Sequence, residues 1–298
     1  LNPLTIESMR QQQHPGSDIT IEQTLAAGSN YSRYVVSYRS DGLKIYALMT
    51  VPKGTRPKTG FPVIVFNHGY IPPSVYRTTE RYVAYVDAIA KSGYIVFKSD
   101  YRGHGNSDGD ATGGYGSPNY TVDVLNALAS MKKYKDADPN RVGMWGHSMG
   151  GQLTLRSLVI TKDIKAAVIW AGVVAPYADL LNSWRRQSGG GAFQPNRAGW
   201  RQSLTDEYGA PEENPQFWNS ISPNAYVADI SAPVQLHHSP ADTHVPYHFS
   251  EILSQELKGV NKFVEFFSYP KDDHNLSKSL TLAMQRTVAF FDKYVKGK

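Results

Sequence analysis

Ser148 lies in the stretch Gly146-His147-Ser148-Met149-Gly150, with a further glycine at Gly151. A serine flanked this way suits a sharp turn from a strand into a helix. The turn strains the serine backbone, and glycines at its flanks let it close without clashes. The hydroxyl then stands above a sheet, with the first amides of the helix pointing at the same space. That arrangement serves acyl transfer. A serine hydroxyl is a poor nucleophile near neutral pH, so it needs a base, and the base needs a carboxylate to orient it. On a sheet of this kind the acid and base are expected later in the chain, in the order Ser, Asp or Glu, His.

Two loops downstream supply that order. The strand expected over Pro233 to His238 leads into Ser239-Pro240-Ala241-Asp242, and the strand expected over Phe263 to Tyr269 leads into Pro270-Lys271-Asp272-Asp273-His274. Each loop follows the carboxyl end of a strand, so Ser148, Asp242 and His274 should leave the sheet on one edge. Asp272 and Asp273 adjoin His274, but neighbouring side chains on a loop diverge, so they are expected to cap or to face solvent. His237, His238, His244 and His248 read as packing and surface polarity. None shows an HExxH-like spacing, and no metal is expected. An oxyanion needs two backbone amides. One is expected at Met149 and the other at Tyr70, in the loop Asn67-His68-Gly69-Tyr70, where Gly69 allows close approach. His68 is expected to hold that loop by hydrogen bonding and is placed with the substrate-binding residues. In Arg102-Gly103-His104-Gly105 there is neither a third glycine opening a helix nor a following lysine. It therefore reads as a structural turn rather than a phosphate cradle, with Arg102 paired to a buried carboxylate or to carbonyls.

The elements that must position these residues are legible in the hydropathy pattern. Pro62 to Asn67 and Tyr94 to Phe97 are short unbroken apolar runs, as expected of strands buried on both faces. Between them, Thr79 to Ser92 has apolar residues at helical spacing and stops at Gly93. A helix is expected after Ser117-Pro118, a strand over Arg141 to Trp145, a helix over Ser148 to Ile160 and a strand over Ala166 to Trp170. His248 to Lys258 and Ser277 to Tyr294 read as helices. Tyr34 to Tyr38 and Lys44 to Val51 flank a Ser40-Asp41-Gly42 turn and read as a hairpin. Strands alternating with helices predict an α/β fold: a mostly parallel sheet of about eight strands with helices on both faces. Residues 1–30, polar and Gln-rich, read as an N-terminal extension with at most one short helix, and 31–298 as the catalytic domain. Residues 173–228 break the alternation and are expected to form a small inserted cap. Its aromatics Trp184, Phe193, Trp200 and Trp218 are expected to line the substrate pocket, since ligand pockets are mostly apolar. Arg185, Arg186, Arg197 and Arg201 in the same stretch hint at tolerance for an anionic group.

Composition bounds the partners. The net charge of +5 over 298 residues is small, and no basic block of nucleic-acid type appears. No run approaches the ~18 apolar residues of a membrane span. The chain has 0 cysteines, which excludes disulfides, thiolate metal sites and a cysteine nucleophile. Leu1 in place of an initiator Met fits a trimmed chain or a mature secreted or periplasmic product, and equally a cytoplasmic one. Oligomeric state is not readable.

At Phe66-Asn67-His68-Gly69-Tyr70, Asp100-Tyr101-Arg102-Gly103-His104-Gly105, Gly146 to Gly151, Asp242 with Val245-Pro246, and Asp273-His274, the chain resembles the α/β-hydrolase fold. Within that fold it is similar to the catalytic domain of the prolyl-oligopeptidase and acylaminoacyl-peptidase group and its stand-alone esterase relatives. The resemblance implies Ser148 as nucleophile, Asp242 as acid and His274 as base, and no cofactor. Peptidases of that group carry an N-terminal β-propeller. Roughly sixty residues precede Pro62 here, while a single blade takes about 40 or more, which shifts the expectation from peptide bonds to small-molecule carboxylic esters. A dipeptidyl or acylaminoacyl peptidase is the alternative, favoured by a carboxylate pair drawn from Glu207, Glu212 or Glu213. A non-enzymatic binding module would be marked by loss of one of the three site residues.

Overall fold

The structure, a computed structural model, describes residues 2–184 and 196–297. In chain order the elements are α1 (Ile6–Gln11), β1 (Thr20–Leu25), β2 (Tyr31–Ser40), β3 (Leu43–Pro52), β4 (Phe61–Asn67), α2 (Val83–Lys91) and β5 (Ile95–Ser99). Then follow α3 (Asn119–Lys133), β6 (Ala137–His147), α4 (Met149–Ile160), β7 (Ala167–Trp170), α5 (Tyr177–Asn182), α6 (Asn196–Tyr208) and α7 (Pro215–Ile221). The last four are β8 (Val234–His238), α8 (His248–Gly259), β9 (Val264–Ser268) and α9 (Leu280–Phe291).

The strands form one nine-stranded sheet in the order β1-β2-β3-β5-β4-β6-β7-β8-β9. From β5 to β9 the pairing is parallel, while β1, β2 and β3 join antiparallel at the other side. The ninth strand is β1, which lies inside the segment expected to be an extension. It pairs with β2 along its length, and α1 buries Ile6 and Met9 in the core. Residues before Tyr31 are therefore built into the fold.

Alternation along the strands splits the core into two layers. Val63, Val65, Ile95, Phe97, Val142 and Met144 face one side, under Leu128, Leu153 and Leu253 of α3, α4 and α8. Ile64, Phe66, Val96, Trp145, Val168 and Trp170 face the other, under Ile89 of α2 and Met284 of α9. Buried apolar side chains on both faces explain why these strands read as unbroken apolar runs. The strand order reverses about β4: β5 lies on one side of it and β6 on the other. Loops leaving the carboxyl ends of β4 and β6 therefore flank a crevice of the kind where open α/β sheets bind ligands.

The turn after β5 is fixed by charge. Arg102 donates from its backbone N–H, Nε and Nη2 to the fully buried carboxylate of Asp123 on α3, the shortest contact being 2.7 Å. Its Nη2 also reaches Asp41 in the β2–β3 turn at 3.0 Å.

Candidate active site

Ser148 stands between β6 and α4 with φ 56° and ψ −119°, a left-handed backbone that a serine adopts only under constraint. Its N–H donates to the Trp170 carbonyl at 3.0 Å, and its own carbonyl accepts from Gly151 and Val173. The flanking glycines are needed for space. A Cβ on Gly146 would lie 2.3 Å from the Gly150 oxygen and from Thr154 Oγ1, and one on Gly150 would lie 2.0 Å from the Asn67 oxygen. Met149 is the first residue of α4, so its N–H has no partner within the helix.

Asp242 and His274 meet across the ends of β8 and β9. His274 Nδ1 donates to Asp242 Oδ2 at 2.6 Å, which leaves Nε2 as the unprotonated nitrogen of the neutral ring. Asp242 has no exposed side-chain surface. It accepts three further bonds: His238 Nε2 at 3.0 Å, and the backbone N–H groups of His244 at 2.7 Å and Val245 at 3.1 Å. Burial alone would raise its pKa. The donors from His238 and His274 outweigh burial and hold the carboxyl well below the usual range. His238 is oriented in turn by Ser250 Oγ, 2.8 Å from Nδ1. Asp272 and Asp273 instead accept backbone amides of their own loop, at Asp273, Lys278 and Ser279 and at Asn275 and Ser277 respectively, and so shape the turn into α9.

A cavity of about 580 Å³ opens over Ser148 and His274. Tyr70 and Trp184 line it, together with Tyr82, Tyr85, Tyr115, His147, His244 and Arg81. His244 stacks on His274 with ring centres 4.9 Å apart. Asp242, His244 and His274 are the set among the described residues whose metal-ligating atoms lie within 4.8 Å of one another.

The other expected pocket residues are placed differently. His68 is fully buried and does not line the cavity. Its ring stacks against Tyr76 and Tyr101 at 4.9 and 4.3 Å, and Nδ1 donates to the Gly69 carbonyl at 2.7 Å. That carbonyl belongs to the peptide unit that carries the Tyr70 N–H, so His68 shapes the loop and is out of a substrate's reach. Trp218, also buried, donates to the Gly209 carbonyl under the cap. Trp200 packs behind the wall on Tyr115, with the Arg201 guanidinium 4.7 Å from its centre. Phe193, Arg185 and Arg186 lie outside the described residues, as does the side chain of Arg197. Sequence reasoning missed Tyr82, His147 and His238. A histidine inside the serine turn and another ending the strand before the acid were the available signals.

His237 points away from the site. It bridges Gln235 Oε1 and the Tyr269 hydroxyl at 2.7 Å each, and burial holds its pKa well below the usual value. The unfolded chain therefore binds the proton first. Stability from the neutral ring is full above about pH 6.5 and is lost as pH falls below it. In a His237→Gln variant the slope of unfolding free energy against pH, from about pH 5 to about pH 6, should fall by about 1.4 kcal/mol per unit. Urea unfolding measures it, and an unchanged slope means that the native ring takes up the proton.

A family model described as the prolyl oligopeptidase family matches residues 81–298. The uncharacterized peptidase YuxL of Bacillus subtilis strain 168 is 27% identical over 244 residues, which cover 80% of this chain and 35% of YuxL. Acylaminoacyl peptidase of Pyrococcus horikoshii superposes with a TM-score of 0.72 at 23% identity, covering 91% of this chain and 43% of that one. Acetyl xylan esterase from Paenibacillus sp. R4 superposes with a TM-score of 0.72 at 19% identity, covering 95% and 91%. The chain thus spans about a third of YuxL and nearly all of the xylan esterase.

Proposed function

Since the chain belongs to the prolyl oligopeptidase family, we propose that it is a serine hydrolase that cleaves carboxylic esters through an acyl-enzyme. In this reading His274 Nε2 takes the proton of Ser148 Oγ as the oxygen attacks the ester carbonyl. Asp242 fixes the tautomer of His274 and offsets the charge that the ring gains. The amides of Tyr70 and Met149 bind the oxyanion, the alcohol leaves with the proton from His274, and water repeats the cycle on the acyl-enzyme. The three groups need no metal or organic cofactor for this chemistry.

The observation that favours an ester over a peptide with a free amino end is the cavity wall. It carries Tyr70, Tyr82, Tyr85, Tyr115, Trp184 and Arg81, with no Asp or Glu among the described lining residues. The acids that could bind an ammonium group are engaged in the cap. Glu207 accepts from the Tyr208 hydroxyl, Glu212 from Asn182 and Glu213 from the Ala210 amide. An aromatic wall with one arginine suits aryl or medium-sized acyl esters, including those with an anionic substituent.

A panel of aryl and alkyl 4-nitrophenyl esters, run beside aminoacyl and acyl-peptide 4-nitroanilides, tests the reading. The expected result is a kcat/KM for the best ester at least about 100-fold above that for the best anilide, equivalent to about 2.7 kcal/mol in transition-state binding. Faster anilide cleavage would make the chain a peptidase or amidase.

A further inference from the structure

We infer that Tyr82 and His147 are positioning residues that tie the oxyanion loop, the nucleophile turn and the base loop together through one directional chain of hydrogen bonds. The inference rests on the reading of Ser148 as nucleophile and His274 as base.

Donor chemistry fixes the direction. His147 Nε2 lies 2.9 Å from the backbone oxygen of His274. A carbonyl only accepts, so Nε2 carries the hydrogen. Burial, then the nearby His274, push the His147 pKa down to about 3, so the ring is neutral near pH 7 and Nδ1 holds a lone pair. The Tyr82 hydroxyl, 2.7 Å from Nδ1, must donate to it. The phenol oxygen in turn accepts the Gly69 N–H at 2.9 Å. The chain thus runs Gly69 N–H to Tyr82 O–H to His147, and His147 Nε2–H to the His274 carbonyl.

The loops it joins leave β4, β6 and β9. The first two strands are neighbours, but β7 and β8 separate β6 from β9. Asp242 holds the ring of His274, while His147 holds its backbone, so the base is anchored at two points. Space is tight around the chain: a Cβ on Gly69 would lie 2.7 Å from the Tyr82 hydroxyl oxygen and 3.2 Å from Ser148 Cβ. Tyr82 reaches this place with a left-handed backbone, φ 53°, directly after Arg81 at φ 58°. Two successive left-handed non-glycine residues persist only where the surroundings over-determine them. The Gly69 N–H is taken by Tyr82, so the oxyanion is left to the next amide along the loop.

The test uses Tyr82→Phe, His147→Leu and His147→Gln. Gln can place an amide N–H near the position of Nε2. Three readouts are taken: kcat and KM on 4-nitrophenyl acetate, inhibition by phenylboronic acid as an oxyanion mimic, and the rate of Ser148 labelling by diisopropyl fluorophosphate. The last does not depend on which substrate class is right. Tyr82→Phe should lower kcat and the labelling rate by about 10- to 100-fold, below the loss for a direct oxyanion donor. Boronate affinity should fall in step, with KM within about threefold and the titrated active-site concentration unchanged. His147→Gln should recover most of what His147→Leu loses. Wild-type labelling and boronate affinity in Tyr82→Phe would overturn the inference, as would equal losses in both His147 variants. Normal labelling with anilides preferred over esters would overturn the ester reading alone.

Discussion

Replacing Ser148 with alanine should lower ester turnover by about 10⁴- to 10⁶-fold while leaving thermal stability within about 1 kcal/mol of the wild type. The two halves of this expectation have separate physical origins. Chemically, alanine leaves His274 and the oxyanion amides in place but removes the atom that attacks. What survives is catalysis by binding and by the oxyanion site alone, typically about 10³- to 10⁴-fold over water. Structurally, the turn is held by backbone bonds from Ser148 to Trp170, Gly151 and Val173, which alanine also makes. Steady-state assays with 4-nitrophenyl esters, together with circular-dichroism melts, read both. Retention of more than about one per cent of the activity would remove Ser148 as the nucleophile; a large loss of stability would show that the hydroxyl supports the turn.

Asp242→Asn should cost about 10³- to 10⁴-fold in kcat and also destabilise the fold by about 1.5–3 kcal/mol. Four donors converge on this carboxylate, two of them imidazole N–H groups. Both imidazoles bond Oδ2 and the His244 and Val245 amides bond Oδ1, so an asparagine oxygen kept on the backbone amides turns its NH2 toward His274 and His238, and both must change tautomer or lose their partner. If His274 changes, the proton sits on Nε2 and the ring no longer accepts from Ser148. In the wild type the depressed pKa keeps Asp242 charged across the working range. Its contribution to stability is present above about pH 3.9, the unfolded value, and is lost as pH falls through the lower native value. The acidic limb of a pH–rate profile should therefore not follow this carboxylate. Asp272→Asn is the control. The Asp272 carboxylate bonds amides of its own loop and the Ser279 side chain, so the change should alter melting temperature far more than kcat. If Asp272→Asn abolished activity and Asp242→Asn spared it, the assignment of the acid would be reversed.

The parts of this molecule that were legible in its sequence are those where local physics leaves few choices. A strained serine turn needs glycines at both flanks, and a strand buried on both faces needs an unbroken apolar run. Asp242 and His274 followed because each lies on the loop after a β-rich segment, β8 and β9. The hidden parts hide for identifiable reasons. β1 reads Thr-Ile-Glu-Gln-Thr-Leu and is almost wholly exposed, held by its pairing with β2 through an irregular register. It has no buried face for the hydropathy pattern to report. Tyr82 looked like an apolar helix position, whereas it precedes α2 with a backbone that no periodicity predicts. His68 and His238 were obscured because a buried histidine satisfied by backbone or carboxylate looks the same in sequence as a surface one. Trp200 and Trp218 were taken as pocket walls on composition, and the cap spends them on its own packing.

The place of β9 has a consequence for how activity is acquired. The base sits on the loop after this strand, at the far edge of the sheet from β1 and more than a hundred residues after the serine. A chain folded only as far as β8 and the loop after it holds the serine turn and the acid but lacks His274. The proposed chemistry is thus silent until the loop after β9 is in place. It switches on when the final edge strand docks. In a refolding experiment, regain of hydrolysis should lag the return of helical signal and report completion of that edge.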